Sequence, residues 1–312
     1  MAVDRAPRGA PRWRGPRFFL VDVFAREPLA GNPLAVVADA PDLGEALMRR
    51  IAREFNQSET TFVLPPSRTG ADWRLRSFTP SGQEVFGAGH NALGAWWWLA
   101  EDGRLSLDGP RASFAQEIGD LVLPVEVTSE AGLPVAVTMS QAPPDFGAVQ
   151  DDAPALAAAL RLPEGNLGAG GLRSRVVSTG AAHLLVPARD RGAVERARPD
   201  AELLAALLRD VGGQGCYLFC LDPVDPSAMA YARFFNPTVG IREDPATGSA
   251  AGPLACYLAA NGLVEGDAVR VEQGHAMGRP SEIEVRVSGD DVRISGGAVV
   301  VAEGTLRLRD AP

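Results

Sequence analysis

Two segments of this chain repeat one another, and that repetition limits the possible folds more than any other feature of the sequence. Arg76–Pro80 reads R-S-F-T-P and is followed by G-H-N-A-L-G-A-W-W-W-L-A-E-D-G. Arg233–Pro237 reads R-F-F-N-P and is followed by G-S-A-A-G-P-L-A-C-Y-L-A-A-N-G. Aligning Leu99-Ala100-x-x-Gly103 with Leu258-Ala259-x-x-Gly262 sets Gly89-His90 on Gly248-Ser249. Each unit thus predicts a strand, a glycine turn and an apolar helix that stops at glycine. Both helices are apolar on nearly every side, which calls for burial all round, as at the centre of a curled sheet.

The rest of the chain reads mainly as strands, with helices predicted over Leu43–Phe55, Ala153–Leu160 and Ala201–Arg209. Strands outnumber helices and the two do not alternate strictly, so the expected class is α+β and not a doubly wound parallel sheet. The expected division is a disordered extension over residues 1–17, an N-terminal half over 18–134 and a C-terminal half over 135–299. Gly89 and Gly248 fall where the central helices begin, with unsatisfied N–H groups and the positive end of the dipole. Two such helix starts brought together by pseudo-symmetry form a carboxylate site.

Composition removes whole classes of function. All 30 basic residues are arginine, so a Walker-A loop, a pyridoxal Schiff base and a lysine aldolase are excluded. A net charge of −9 disfavours nucleic acid. Cys216, Cys220 and Cys256 are too few for a disulfide framework and fit a reducing cytoplasm; the first two are expected on one face of a buried strand. No stretch reads as a membrane span or an export signal. His90, His183 and His275 lack ligand spacing, so no metal site is expected. G-A-G-H-N-A-L-G matches the dinucleotide fingerprint only loosely. Arg74 and Arg76 are expected on a solvated strand face.

Four polar residues are candidates for chemistry. Glu59 stands just ahead of the apolar strand T-T-F-V-L, where an ordinary solvent-facing glutamate is the competing reading. His90 opens the first central helix opposite its repeat-mate Ser249. Asp244 precedes the second helix, where capping and catalysis are equal alternatives. Ser249 fits a donor to a bound anion or a cap, and no base is indicated beside it as a nucleophile would need.

The segments V-D-V-F-A-R-E-P-L-A-G-N-P, F-N-Q-S-E-T-T-F-V-L-P, F-T-P-S-G-Q-E-V-F-G-A-G-H, R-F-F-N-P-T-V-G-I-R-E-D-P-A-T-G-S-A and Q-G-H-A-M-G-R-P-S, in this order, resemble the PhzF-like isomerases. Through these the chain resembles the diaminopimelate epimerase fold. The resemblance covers nearly everything after residue 17. It implies two barrel-like halves, each wrapped round a central helix, with the last strand, near 300–312, crossing back to the first half. It also implies a homodimer and no cofactor. It sets Glu59 on the family's acid/base, His90 on its glycine-histidine motif, and Asp244 and Ser249 on the matching polar residues.

Epimerases of this fold carry two cysteines at the helix starts; here those positions are Ala88 and Thr247. Asn91 and Gly87 depart from the family pattern and are expected to alter the pocket wall. The expectation is a proton-moving isomerase acting on a small carboxylic acid, whose carboxylate meets the N–H groups of Gly89 and Gly248. Asn91 and Thr247 complete the substrate-binding set. A non-catalytic acid-binding protein on the same scaffold is the alternative, and an amino acid epimerase the third.

Overall fold

The computed structural model describes residues 15–40, 42–168 and 170–308. The aromatic and β-branched run R-F-F-L-V-D-V forms β1 (Arg17–Val23), antiparallel to β2 (Asn32–Ala38). Helix α1 (Glu45–Phe55) then crosses the outside, burying Met48, Ile51 and Ala52, and returns the chain to β3 (Glu59–Leu64), parallel to β2. Next come β4 (Trp73–Phe78) and the short β5 (Glu84–Val85), followed by the central α2 (His90–Glu101). β6 (Arg111–Ile118) lies parallel to β4, and β7 (Leu121–Glu130) and β8 (Leu133–Gln141) follow as an antiparallel meander.

The first half ends in β9 (Asp145–Gln150), and the second opens with α3 (Ala153–Leu160), β10 (Ser174–Ser178) and β11 (Ala182–Pro187). Two outer helices, α4 (Arg191–Arg196) and α5 (Ala201–Val211), lead to β12 (Gly215–Cys220). Then come β13 (Ala230–Asn236), β14 (Ile241–Asp244) and the central α6 (Gly248–Ala260). β15 (Ala268–Gln273), β16 (Ser281–Ser288), β17 (Asp291–Gly296) and β18 (Ala298–Thr305) finish the chain.

The repeat seen in the sequence governs the pairing. β1/β2, β2/β3, β3/β4, β4/β5 and β4/β6 match β10/β11, β11/β12, β12/β13, β13/β14 and β13/β15 in order and in sense. The last strand of each half leaves it: β9 pairs with β10, and β18 pairs with β1. The halves join where β8 runs antiparallel to β17, so the boundary expected at 134/135 falls inside β8. Among the described residues neither curled half closes on itself, and the fold is α+β and sheet-dominated. Residues 1–14 of the expected extension lie outside the described residues, and β1 already begins at Arg17.

Alternation along each strand separates an inner from an outer core. The inner core joins both halves around α2 and α6, and Trp96, Trp98 and Leu254 are buried in it. Gly94 lets α2 approach the sheet, since a Cβ there would stand 2.6 Å from Val23 and 2.7 Å from Leu34. The outer cores lie under α1 and under α3, α4 and α5; Cys216 and Cys220 sit together in the latter. No described helix is long and apolar enough to cross a membrane.

The symmetry extends to buried charge. Arg76 binds Glu84 through Nε and Nη2, each at 2.7 Å, and Arg233 binds Glu243 in the same way at 2.8 Å. Each guanidinium lies over the phenylalanine two residues on, Phe78 or Phe235. Arg76 is therefore a half-buried strut of its half and not part of the solvated face expected of it. Glu117 accepts the N–H groups of Ser67 and Arg68, and its counterpart Glu272 accepts those of Val224 and Asp225. One buried carboxylate thus ties a surface turn to the sheet in each half.

Candidate active site

Helix α1 ends at Asn56 in the left-handed conformation, and only two residues then precede β3. Alternation places Glu59 on the inner face with Thr61 and Val63, while Phe62 and Leu64 enter the outer core. The glutamate is therefore not a solvent-facing strand end. Its side chain is 18% exposed, and burial pushes its pKa up to about 7. His90, the first residue of α2, brings Nε2 within 3.6 Å of Glu59 Oε2. This is no working ion pair: burial lowers the histidine's pKa while it raises the carboxylate's, so each favours its neutral form. His90 Nε2 has no hydrogen-bond partner among the described residues.

The second half brings Asp244 to the same place. It ends β14, where Glu243 turns outward to Arg233 and Asp244 turns inward. Asn32 of the first half donates Nδ2 to Asp244 Oδ1 at 2.9 Å and to Ala246 O at 2.8 Å, and the Thr247 hydroxyl donates to Oδ2. Burial raises the Asp244 pKa, opposed first by His90 and then by these two donors; Glu59 adds to the rise. Glu59, His90 and Asp244 are thus one electrostatic cluster across the seam between the halves.

Of the other predicted residues, Gly248 and Ser249 open α6, where the first N–H groups lack intrahelical partners by position. The remaining three are spent on the protein itself. Gly89 donates its N–H to Asn91 Oδ1 at 2.8 Å, and Asn91 Nδ2 donates to Gly87 O and Ser77 Oγ, both at 3.0 Å. Asn91 is buried, so it clamps the turn before α2 and does not form pocket wall. The two departures expected to alter the wall, Asn91 and Gly87, bind each other. Thr247 gives its N–H to Gln273 Oε1 at 3.1 Å and its hydroxyl to Asp244, while Gln273 Nε2 reaches Thr247 Oγ1 at 3.0 Å. Replacing Asn91 by Ala should cost about 1–3 kcal/mol and speed amide exchange across Gly87–His90. Unchanged protection there would show that the clamp carries no load.

One residue was missed. His183 of β11 places Nε2 3.3 Å from Ser249 Oγ, so a histidine does stand beside that serine. Burial holds its pKa down at about 4, which leaves it neutral near pH 7. The pseudo-symmetry explains why Glu59 has no twin. Its counterpart is Gly215, where a Cβ would lie 2.5 Å from the Phe234 ring, and Phe234 replaces Ser77 of the first half. One half supplies a strand-borne carboxylate to the inner cluster, and the other fills the equivalent space with an aromatic ring.

The fold, two half-domains each built round a central helix, is of the class shared by PhzF-family proteins and proline racemases. A hydroxyproline epimerase from Agrobacterium vitis shares the fold, with a TM-score of 0.64 at 16% identity over 95% of this chain and 94% of that one. The chain belongs to the phenazine biosynthesis-like (PhzC-PhzF) family, whose model matches residues 21–304. It is 35% identical over 297 residues to trans-2,3-dihydro-3-hydroxyanthranilate isomerase from Pseudomonas fluorescens, covering 93% of this chain and 99% of that protein. A PhzF-family protein from Bacillus anthracis superposes with a TM-score of 0.86 at 30% identity, covering 95% of this chain and all of that one. The chain is an isomerase.

Proposed function

We propose that the chain moves a proton between two carbons of a small carboxylic acid, as in the isomerisation of trans-2,3-dihydro-3-hydroxyanthranilate, with Glu59 as the carrier. The observation that supports this most is the position of Glu59: an inner-face carboxylate, raised to about 7 by burial, beside a histidine nitrogen with no partner among the described residues. A base with a pKa near neutrality suits proton transfer from carbon. The Glu59 carboxylate takes a C–H proton and becomes a carboxylic acid, and the released electron pair enters the substrate's conjugated system. The same acid then returns the proton to a second carbon on the same face, so no atom is gained or lost.

The substrate carboxylate takes the N–H groups at Gly248 and Ser249 and the Ser249 hydroxyl, since Gly89 and Thr247 have already committed theirs. His90 and Asp244 hold the polar group next to the migrating proton and stabilise charge that develops there. Ala88 and Thr247 stand where a two-thiol epimerase would need cysteines, which disfavours inversion at a stereocentre.

NMR in D₂O with dihydro-hydroxyanthranilate and a panel of small cyclic acids tests the reading. The expected result is isomerisation, or deuterium entering at carbon, with the parent chain and neither with Glu59→Gln. Binding shifts without exchange in the parent would favour an acid-binding protein, and exchange retained by Glu59→Gln would remove Glu59 from the role.

A further inference from the structure

On the outer face of β13 and β14, away from Glu59, a cavity of about 570 Å³ opens between the α4–α5 connection and the β13–β14 turn. Ala197, Leu204 and Phe235 give it a buried apolar floor, and Arg161, Arg198, Arg233 and Arg242 line it against one carboxylate, Glu243. Arg233 and Glu243 neutralise each other, and Arg161 is paired with Asp200 at 2.7 Å. That leaves two. Arg198 spends only Nη1, on the carbonyls of Glu195 and Ala197, and Arg242 makes no ion pair or hydrogen bond among the described residues. Two uncompensated cations at the rim of an apolar cavity are notable in a chain of net charge −9.

The first half shows what the same framework looks like when filled. There the half-buried pair is Arg76–Glu84, the aromatic is Phe78 and the turn contains Gly82. Arg49 of α1 lies over the Phe78 ring and donates to Gly82 O, while Glu45 of the same helix pairs with Arg76 at 2.7 Å. In the second half the α4–α5 connection takes the place of that single helix. Arg233 is held by the carbonyls of Val194 and Ala197, and the cavity opens between that connection and the β13–β14 turn.

We propose that this cavity binds an organic anion with an apolar body. The body lies against Pro199, Ala201 and Pro237, above the buried Leu204 and Phe235, and the carboxylate or sulfonate meets Arg198 and Arg242. Volume, apolar floor and a few convergent charges are those of a ligand site, and the planar guanidinium suits such an anion. The site stands back to back with the cluster described above, because Glu243 and Asp244 are consecutive residues of β14 that face opposite sides.

The probe is 1-anilinonaphthalene-8-sulfonate, followed by fluorescence with the full chain. We expect saturable one-to-one binding that Arg198→Glu and Arg242→Glu each weaken by about tenfold or more, that Ala201→Trp abolishes, and that Glu59→Gln leaves unchanged. All three substituted positions at the cavity are exposed, so these variants fold. No saturable binding to the parent, or binding indifferent to both charge reversals, would overturn the proposal. Loss of binding in Glu59→Gln would place the probe in the cleft and overturn it as well.

Discussion

Glu59→Gln is expected to lose turnover by about 10²–10⁴-fold and, at pH 8, to unfold at a higher denaturant concentration than the parent. The second effect follows from the burial invoked for the first. The folded carboxyl titrates near 7 instead of its ordinary 4.5, so between those values the native state holds a proton that the unfolded chain has released. Stability therefore falls as pH rises through that window and levels off above it. A rise of this size corresponds to roughly 3 kcal/mol at most. Glutamine keeps the shape and removes the charge, so it recovers most of that above pH 8 and nothing below pH 4. Urea titrations of both proteins at pH 4 and pH 8 give the comparison; equal midpoints at pH 8 would mean the fold does not strain this carboxylate. In the parent, the rate limited by proton removal should climb with pH to a plateau above about 7, as the base form fills.

Arg233→Leu is expected to destabilise the chain by about 3–5 kcal/mol, as when one partner of a buried ion pair is removed. The guanidinium side chain is 6% exposed and serves two groups at once. It grips Glu243 through two nitrogens, and its Nη1 donates to Val194 O at 3.0 Å and Ala197 O at 2.9 Å, where α4 ends. Leucine keeps some packing against Phe235 but strands the Glu243 carboxylate and takes one donor each from the carbonyls of Val194 and Ala197. Arg233→Leu combined with Glu243→Leu should be less damaging than Arg233→Leu alone, because the stranded charge goes too. Arg76→Leu should cost less, since Arg76 is 16% exposed and water can reach the carboxylates it leaves. Chemical denaturation of the parent and the three variants measures all of this; a double variant worse than the single would contradict the account.

The fold was legible because its repeat lies in the residues that make turns and cores. The helix-ending Leu-Ala-x-x-Gly and the strand-ending Arg-x-Phe-x-Pro recur, and the strand pairing recurs with them. Arg76 and Arg233 fall at matched positions of the repeat, but alternation alone assigns an arginine in a strand to solvent. Only the outer helices show that both faces of these sheets are covered. At the site, Glu59, His90 and Asp244 lie together across the seam, while Ser249 stands beside His183. His183 escaped notice because it meets Ser249 across 66 residues of sequence, and nothing in A-A-H-L-L-V marks the inner face as polar. Gly89, Asn91 and Thr247 share one trait, that their polar groups meet partners within the protein. A helix start exposes donors by geometry, yet a side chain two residues on, or one from a neighbouring strand, can claim them first.

The crossing of β9 and β18 sets a timetable for the nascent chain. β1 leaves the ribosome long before its partner β18, which follows all the other strands in sequence. At about 5–20 residues per second, one edge of β1 waits roughly 15–55 s for its neighbour. During that time it is an unpaired, β-prone template of the kind that recruits other chains. β10 meets β9 almost at once, since the two are neighbours in sequence. The half made second is therefore the first that can finish folding, and the half made first must wait for the tail of the other.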